Sequence, residues 1–214
     1  MENAFVLPHG GVKRRGGMHF VAHTKVTATG SEMMPNGTFA SNITGWTNKS
    51  VGSGSSIAHA TNLMNIVSVD ASNYGWAEEQ ITTVKGQRYV LGFVIGTGAM
   101  SLQIGNSSGG EHVYESTEFA VGTHTMEFTA QSTDTYLGWK HTTGATHTLD
   151  TVTLKTGDYD KKVRVFQFEF STTQSYMLEF GDLYMRVYKD NGQIRSGGKP
   201  VEVTTPFTEA QLFD

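Results

Sequence analysis

Four aromatic residues, Tyr74, Trp76, Tyr114 and Trp139, stand in polar, glycine-rich surroundings. Rings of this kind stack on the apolar C–H face of a pyranose while neighbouring amides and carboxylates bond its hydroxyls. Trp76 follows the turn Ser72-Asn73-Tyr74-Gly75, which sets it and Tyr74 at a rim, and Trp139 falls on a strand with Lys140 and His141 beside it. The competing reading of each ring is a buried sandwich aromatic, and Trp46, after Gly45, reads as core. The carboxylates Glu78, Glu79, Glu111, Glu115 and Glu118 would suit glycoside hydrolysis only if two of them faced one cleft about 5 to 9 Å apart. His141, His147 and Asp150 are the nearest approach to a metal cluster, but their spacing matches no zinc site. Serine-hydrolase, zinc-protease, Walker and dinucleotide signatures are absent from the chain. The residues therefore point to binding rather than catalysis.

Strands must position these side chains. Between Gly30 and Lys161 charge thins out, and Asn, Gly, Ser and Thr dominate. Strand patterns recur there at sandwich-like intervals: 63–69, 76–82, 88–95, 100–104, 124–129, 135–140 and 148–154. The clearest alternation is Tyr89, Leu91, Phe93 and Ile95. Turns are read at 96–98, 106–110 and 142–144. The window predicts a jelly-roll β-sandwich over 31–155, inserted between two pieces of a second domain, 1–30 and 156–214.

That second domain is read from Val163 to Ile194. Phe166, Phe168 and Phe170 share one face of a first strand, Tyr176, Leu178 and Phe180 of a second, and Leu183, Met185 and Val187 of a third. Gly181-Asp182 reads as a two-residue turn, and Asp190-Asn191-Gly192 as the next. The result is an antiparallel β-meander with one aromatic face, for which Phe5–Leu7 and Met18–His23 are the expected covering strands. Lys13, Arg14 and Arg15 lie between glycine pairs, where an anion nest is conceivable but no strand-to-helix pattern surrounds it. Near the end, Thr205 as N-cap and Pro206 at the first helical position predict a short helix.

The totals narrow the field. Sixteen Lys and Arg against twenty Asp and Glu give a net charge of −4, so there is no basic excess for phosphate-led recognition of nucleic-acid sequence. Without cysteine there is no disulfide framework and no thiolate ligand. No run approaches the ~18 apolar residues of a membrane span, and the first residues lack the order of a signal peptide, which predicts synthesis in the cytosol.

Two resemblances follow from spaced motifs. Asn36-Gly-Thr-Phe39, Gly45-Trp46, Glu79-Gln-Ile-Thr82 with Val84, Gly86 and Tyr89, and Leu149-Asp-Thr-Val-Thr-Leu154 together resemble jelly-roll carbohydrate-binding modules. That resemblance implies a sugar-binding sandwich and a structural Ca²⁺ whose acidic ligand is Asp150; no other cofactor is implied. The flanks, Phe5-Val-Leu-Pro-His-Gly-Gly-Val12 and Lys162-Val-Arg-Val-Phe-Gln-Phe-Glu-Phe-Ser171, continue as Tyr176-Met-Leu-Glu-Phe-Gly181, Tyr184-Met-Arg-Val187, Gly192-Gln-Ile194 and Thr205-Pro-Phe207. They resemble the N-terminal part of the tail nozzle (tail tubular) protein of short-tailed bacteriophages. Such proteins extend beyond both ends of this chain, so the resemblance is to a fragment. It implies a non-enzymatic virion structural protein of the tail, made in the host bacterial cytoplasm. Its implied partners are other phage tail proteins, further copies in a homo-oligomeric ring (a hexamer), and a host surface glycan. A stand-alone carbohydrate-binding module and a polysaccharide depolymerase are the alternatives.

Overall fold

The computed structural model describes residues 4–6, 12–14, 24–158, 162–171, 174–190, 192–196 and 199–214. The chain divides into two compact units, Met1–Lys25 with Asp160–Asp214, and Val26–Tyr159. Strands β1 (Ala4–Val6) and β2 (Val12–Arg14) pair with each other as a two-stranded antiparallel sheet. The expected strand Met18–His23, with Leu7 and Arg15, lies outside the described residues.

The second unit runs through β3 (Thr27–Ala28), β4 (Thr47–Asn48), β5 (Ser56–Ala60), β6 (Leu63–Ser68), β7 (Gly75–Thr82), β8 (Arg88–Thr97), β9 (Met100–Gly105), β10 (Tyr114–Phe119), β11 (Gly122–Thr129), β12 (Asp134–His141) and β13 (Ala145–Asp158). Two antiparallel sheets result, ordered β10-β9-β12-β7-β4 and β11-β8-β13-β6-β5, and β3 pairs with the far end of β13. That pairing of Ala28 with Gly157 and of Thr27 with Asp158 carries the unit past 31 and 155 to Val26 and Tyr159.

Strict alternation explains how the sandwich closes, because successive side chains on a strand point to opposite faces. Ala77 and Ile81 of β7, Leu102 and Ile104 of β9, and Leu137 and Trp139 of β12 turn inward from one sheet. They meet Met64, Ile66, Tyr89, Leu91, Phe93, Ile95, Leu149, Val152 and Leu154 of the other, all essentially without exposed surface. Trp139 sits at the centre, its ring 5.6 Å from Trp46 and 5.8 Å from Phe93. A bulge in β13 between Asp150 and Val152 shifts the inward set from odd to even positions, so Leu149, Val152 and Leu154 all reach the core.

In the other unit β14 (Arg164–Ser171), β15 (Gln174–Gly181), β16 (Tyr184–Lys189) and β17 (Gly192–Gln193) form the meander. A further hairpin pairs β18 (Arg195–Ser196) with β19 (Lys199–Pro200), and β20 (Glu202–Thr204) joins the meander sheet against β16. The register places Phe166, Phe168, Leu178, Phe180, Met185 and Val187 on one side. Glu179, Tyr184, Arg186 and Tyr188 share the other, where Glu179 accepts the Tyr184 hydroxyl at 2.9 Å and the Tyr188 hydroxyl at 2.5 Å.

Two local expectations are corrected. The turn after β15 falls on Asp182 and Leu183, because Gly181 still pairs with Tyr184; Leu183, at φ 63°, leaves the apolar face and takes the left-handed position. The helix α1 is Glu209–Phe213, capped by Thr208 in a reciprocal box with Gln211, not by Thr205. Residues 205–207 are instead tied back to the preceding turn, since Thr205 N–H donates to Leu183 O and Leu183 N–H donates to Phe207 O.

Candidate functional site

The outward face of the β10-β9-β12-β7-β4 sheet gathers the polar chemistry of the sandwich. Its register sets Trp76 beside Lys140, and Lys140 beside Ser101; next to them run Glu78, Gly138 and Gln103, and then Gln80, Tyr136 and Gly105. Lys49, just beyond β4, continues the first row, its N–H bonded to Trp76 O at 2.9 Å. The same alternation that sends Ala77 and Trp139 inward sends Trp76, Lys140 and Gln103 outward.

Gly138 makes the floor. A Cβ there would lie 2.8 Å from Trp76 Nε1 and 3.1 Å from Gln103 Cγ, so both side chains close over bare backbone. Among the described residues neither Trp76 Nε1–H nor Gln103 Oε1 has a hydrogen-bond partner, although both atoms are buried and Gln103 is only 2% exposed. Both atoms are closed off from solvent, while the Trp76 residue as a whole keeps part of its surface exposed. Leaving such groups unpaired costs about 1–3 kcal/mol each.

The loop 106–113 borders this floor. Glu78, buried although it points outward, accepts Ser108 Oγ–H at 2.5 Å and Gly109 N–H at 2.7 Å. That holds Gly109, at φ 72°, where a Cβ would be 3.0 Å from the edge of the Trp76 ring. Lys49 Nζ and Lys140 Nζ lie 5.8 and 5.6 Å from the Trp76 ring centroid, within cation–π range. Lys140 also approaches Glu111 Oε1 at 3.6 Å. At the far end Gln80 Nε2–H donates to Asp134 Oδ1 at 3.0 Å.

Of the four aromatic candidates, Trp76 sits on this face within a strand. Trp139 is corrected to a core residue: it has no exposed surface and packs between the sheets, so no sugar can stack on it. Tyr114 pairs with inward-facing Ile104 and packs its ring against the core from the edge strand β10. Tyr74 lies half-buried in the turn before β7, where its carbonyl accepts Val51 N–H.

Glu78 and Glu79, adjacent in sequence, face opposite sides of β7, which separates them as an acid–base pair. Glu79 turns toward the core, and burial pushes its carboxyl up to about 7. Asp150 occupies the β13 bulge, its Oδ1 accepting Thr151 N–H at 2.6 Å and Oγ1–H at 3.0 Å. Among the described residues no three His, Cys, Asp or Glu side chains come together as a metal group, and the Ca²⁺ that the resemblance implies would draw on backbone oxygens besides Asp150. His141 and His147 do meet, as stacked rings 3.7 Å apart.

Sequence reasoning missed Gln103, Tyr136, Lys49 and Gly138. The signal for Gln103 was a polar residue at an outward position between Leu102 and Ile104; Lys49 gave none, because β4 is two residues long.

Among solved structures, the chain is similar to the enzymatically active domain of tailspike protein 4 from bacteriophage CBA120, with 11% identity and a TM-score of 0.46, covering 58% of this chain and 21% of that one. It is also similar to TmCBM61 in complex with β-1,4-galactotriose, with 13% identity and a TM-score of 0.43, covering 59% of this chain and 99% of that one. A third similar structure is the tandem CBM22-1–CBM22-2 domain of Xyn10C from Paenibacillus barcinonensis, with 10% identity and a TM-score of 0.42, covering 77% of this chain and 66% of that one. No family model matches the chain, and no curated protein matches it in sequence.

Proposed function

We propose that this chain binds a glycan, without cleaving it, on the outward face around Trp76. The observation that carries the reading is the partly exposed Trp76 ring on the outward face, set over Gly138 and flanked by Lys49 and Lys140. A partly exposed aromatic ring supplies the stacking surface that polyhydroxyl ligands use, and the ammonium groups beside it are donors for their hydroxyls. The non-cleaving reading is supported by Glu78, which is engaged by Ser108 and Gly109, and by Glu79, which faces inward.

The test is a glycan array followed by calorimetry on the full chain. Trp76→Ala should abolish binding while leaving the fold intact. Gly138→Val, which drives a side chain into the indole and Gln103, should do the same at some cost in stability. Binding that survives both substitutions removes this face as the site. Release of new reducing ends from a bound glycan would make the protein a depolymerase instead.

We place that binding in a bacteriophage tail, with the meander unit as a piece of a nozzle and the sandwich as its inserted, host-facing module. Support comes from the flank motifs, which match the nozzle pattern in order on both sides of the sandwich, and from a first unit built of chain segments before and after it. Cryo-electron microscopy of the parent virion should show the chain near the tail tip. Density confined to the capsid would sink the placement.

A further inference from the structure

We infer that the glycan bound on the Trp76 face is acidic, a chain of sugars bearing ring carboxylates such as uronic acids, and that Lys49 and Lys140 read its charge. The inference rests on the glycan reading above. Lys49, Trp76 and Lys140 lie in one row across three neighbouring strand positions, with the two ammonium groups 5.8 and 5.6 Å from the indole centroid. A pyranose laid on that ring removes water from both ammonium groups at once. A neutral sugar returns only hydroxyl contacts, whereas a carboxylate returns a charge-assisted hydrogen bond to each lysine it reaches.

The surrounding charges favour the same ligand. Lys49 has no carboxylate partner among the described residues and lies within cation–π range of the indole. Lys140 has a single carboxylate partner among the described residues, Glu111 at 3.6 Å, whose side chain is 40% exposed and sits on the bordering loop, so a ligand carboxylate can take its place. Glu78, the carboxylate nearest the floor, is already saturated by Ser108 and Gly109 and turned to the loop. Asp134 is bonded to Gln80 at the opposite end of the face.

The experiment uses three pairs of β-1,4-linked tetrasaccharides, of gluco, galacto and manno configuration. Each pair comprises a neutral member and the form oxidised to the carboxylate at C6. Binding to the full chain is measured by calorimetry, with circular dichroism to verify the fold of each variant. In at least one pair the acidic member should bind about tenfold more tightly than the neutral one, and the advantage should shrink severalfold between about 0.05 and 0.5 M salt. Lys49→Met with Lys140→Met should erase the difference between the two members, and Trp76→Ala should abolish both.

Equal or tighter binding of the neutral members by the wild-type chain overturns the acidic assignment and leaves the glycan reading standing. An acidic preference that persists in the double lysine variant overturns the role of these two residues. Failure of all six tetrasaccharides, together with a blank glycan array, removes the glycan reading itself.

Discussion

Two tryptophans with similar sequence surroundings have opposite fates, and their substitution should separate site from core. Trp139→Ala opens a cavity between Trp46 and Phe93 and is expected to cost about 3–5 kcal/mol, read as a fall in the denaturant midpoint. Trp76→Ala should cost under about 1 kcal/mol in the same measurement, because the ring is partly exposed, while abolishing glycan binding. Glu79 offers a second test at this scale. Its folded pKa of about 7 is raised from 4.5 by burial, so its contribution is fully present below 4.5 and is lost as pH rises through 7. Glu79→Gln should therefore raise stability at pH 8 relative to wild type, by about 1–3 kcal/mol, and flatten the decline between pH 5 and 8. An unchanged pH profile would show that Glu79 ionises freely.

Strands β12 and β13 belong to different sheets, and a histidine from each joins them at one end of the sandwich. The His141 and His147 rings stack at 3.7 Å; His141 Nε2–H donates to Ile66 O at 2.7 Å, and His147 Nδ1–H to Ala99 O at 2.9 Å. Burial, with the neighbouring His147 a lesser cause, holds the His141 pKa below its usual 6.5. The unfolded chain then binds more protons than the folded one below that value, so stability should fall as the solution is acidified from pH 6.5. Thermal melts from pH 8 to 5 should show the decline, and His141→Asn should reduce it. The opposing slope from Glu79 makes the double variant with Glu79→Gln the clearer experiment.

At the level of the whole chain, every residue of the large buried core, from Met34 to Leu154, lies within Val26–Tyr159. Among the described residues the sandwich thus buries its apolar faces with side chains of its own unit. Residues 26–159 expressed alone should melt in one cooperative transition and keep the Trp76 site, as measured by calorimetry with whichever glycan the full chain binds. A fragment that remains unfolded would show that the flanks are part of its core. The meander differs, because Phe166, Phe168 and Phe170 are all at least 47% exposed on their strand.

How far the primary structure reaches can be seen residue by residue. Alternation at period two sufficed for seven sandwich strands and for the meander, since each long strand half-buries its own apolar residues whatever lies across from it. It failed for β4, β5 and β10, which are short or polar on both sides and exist because a neighbour pairs with them. Period also could not say which face is inside: Trp76 and Trp139 differ only in parity, and parity becomes meaningful once the register of β12 against β7 is formed. Gln103, Gly138 and Lys49 come from three separate stretches of chain. Hydrogen bonding across β9, β12, β7 and β4 brings them to Trp76, and long-range pairing of this kind leaves no mark at any one position.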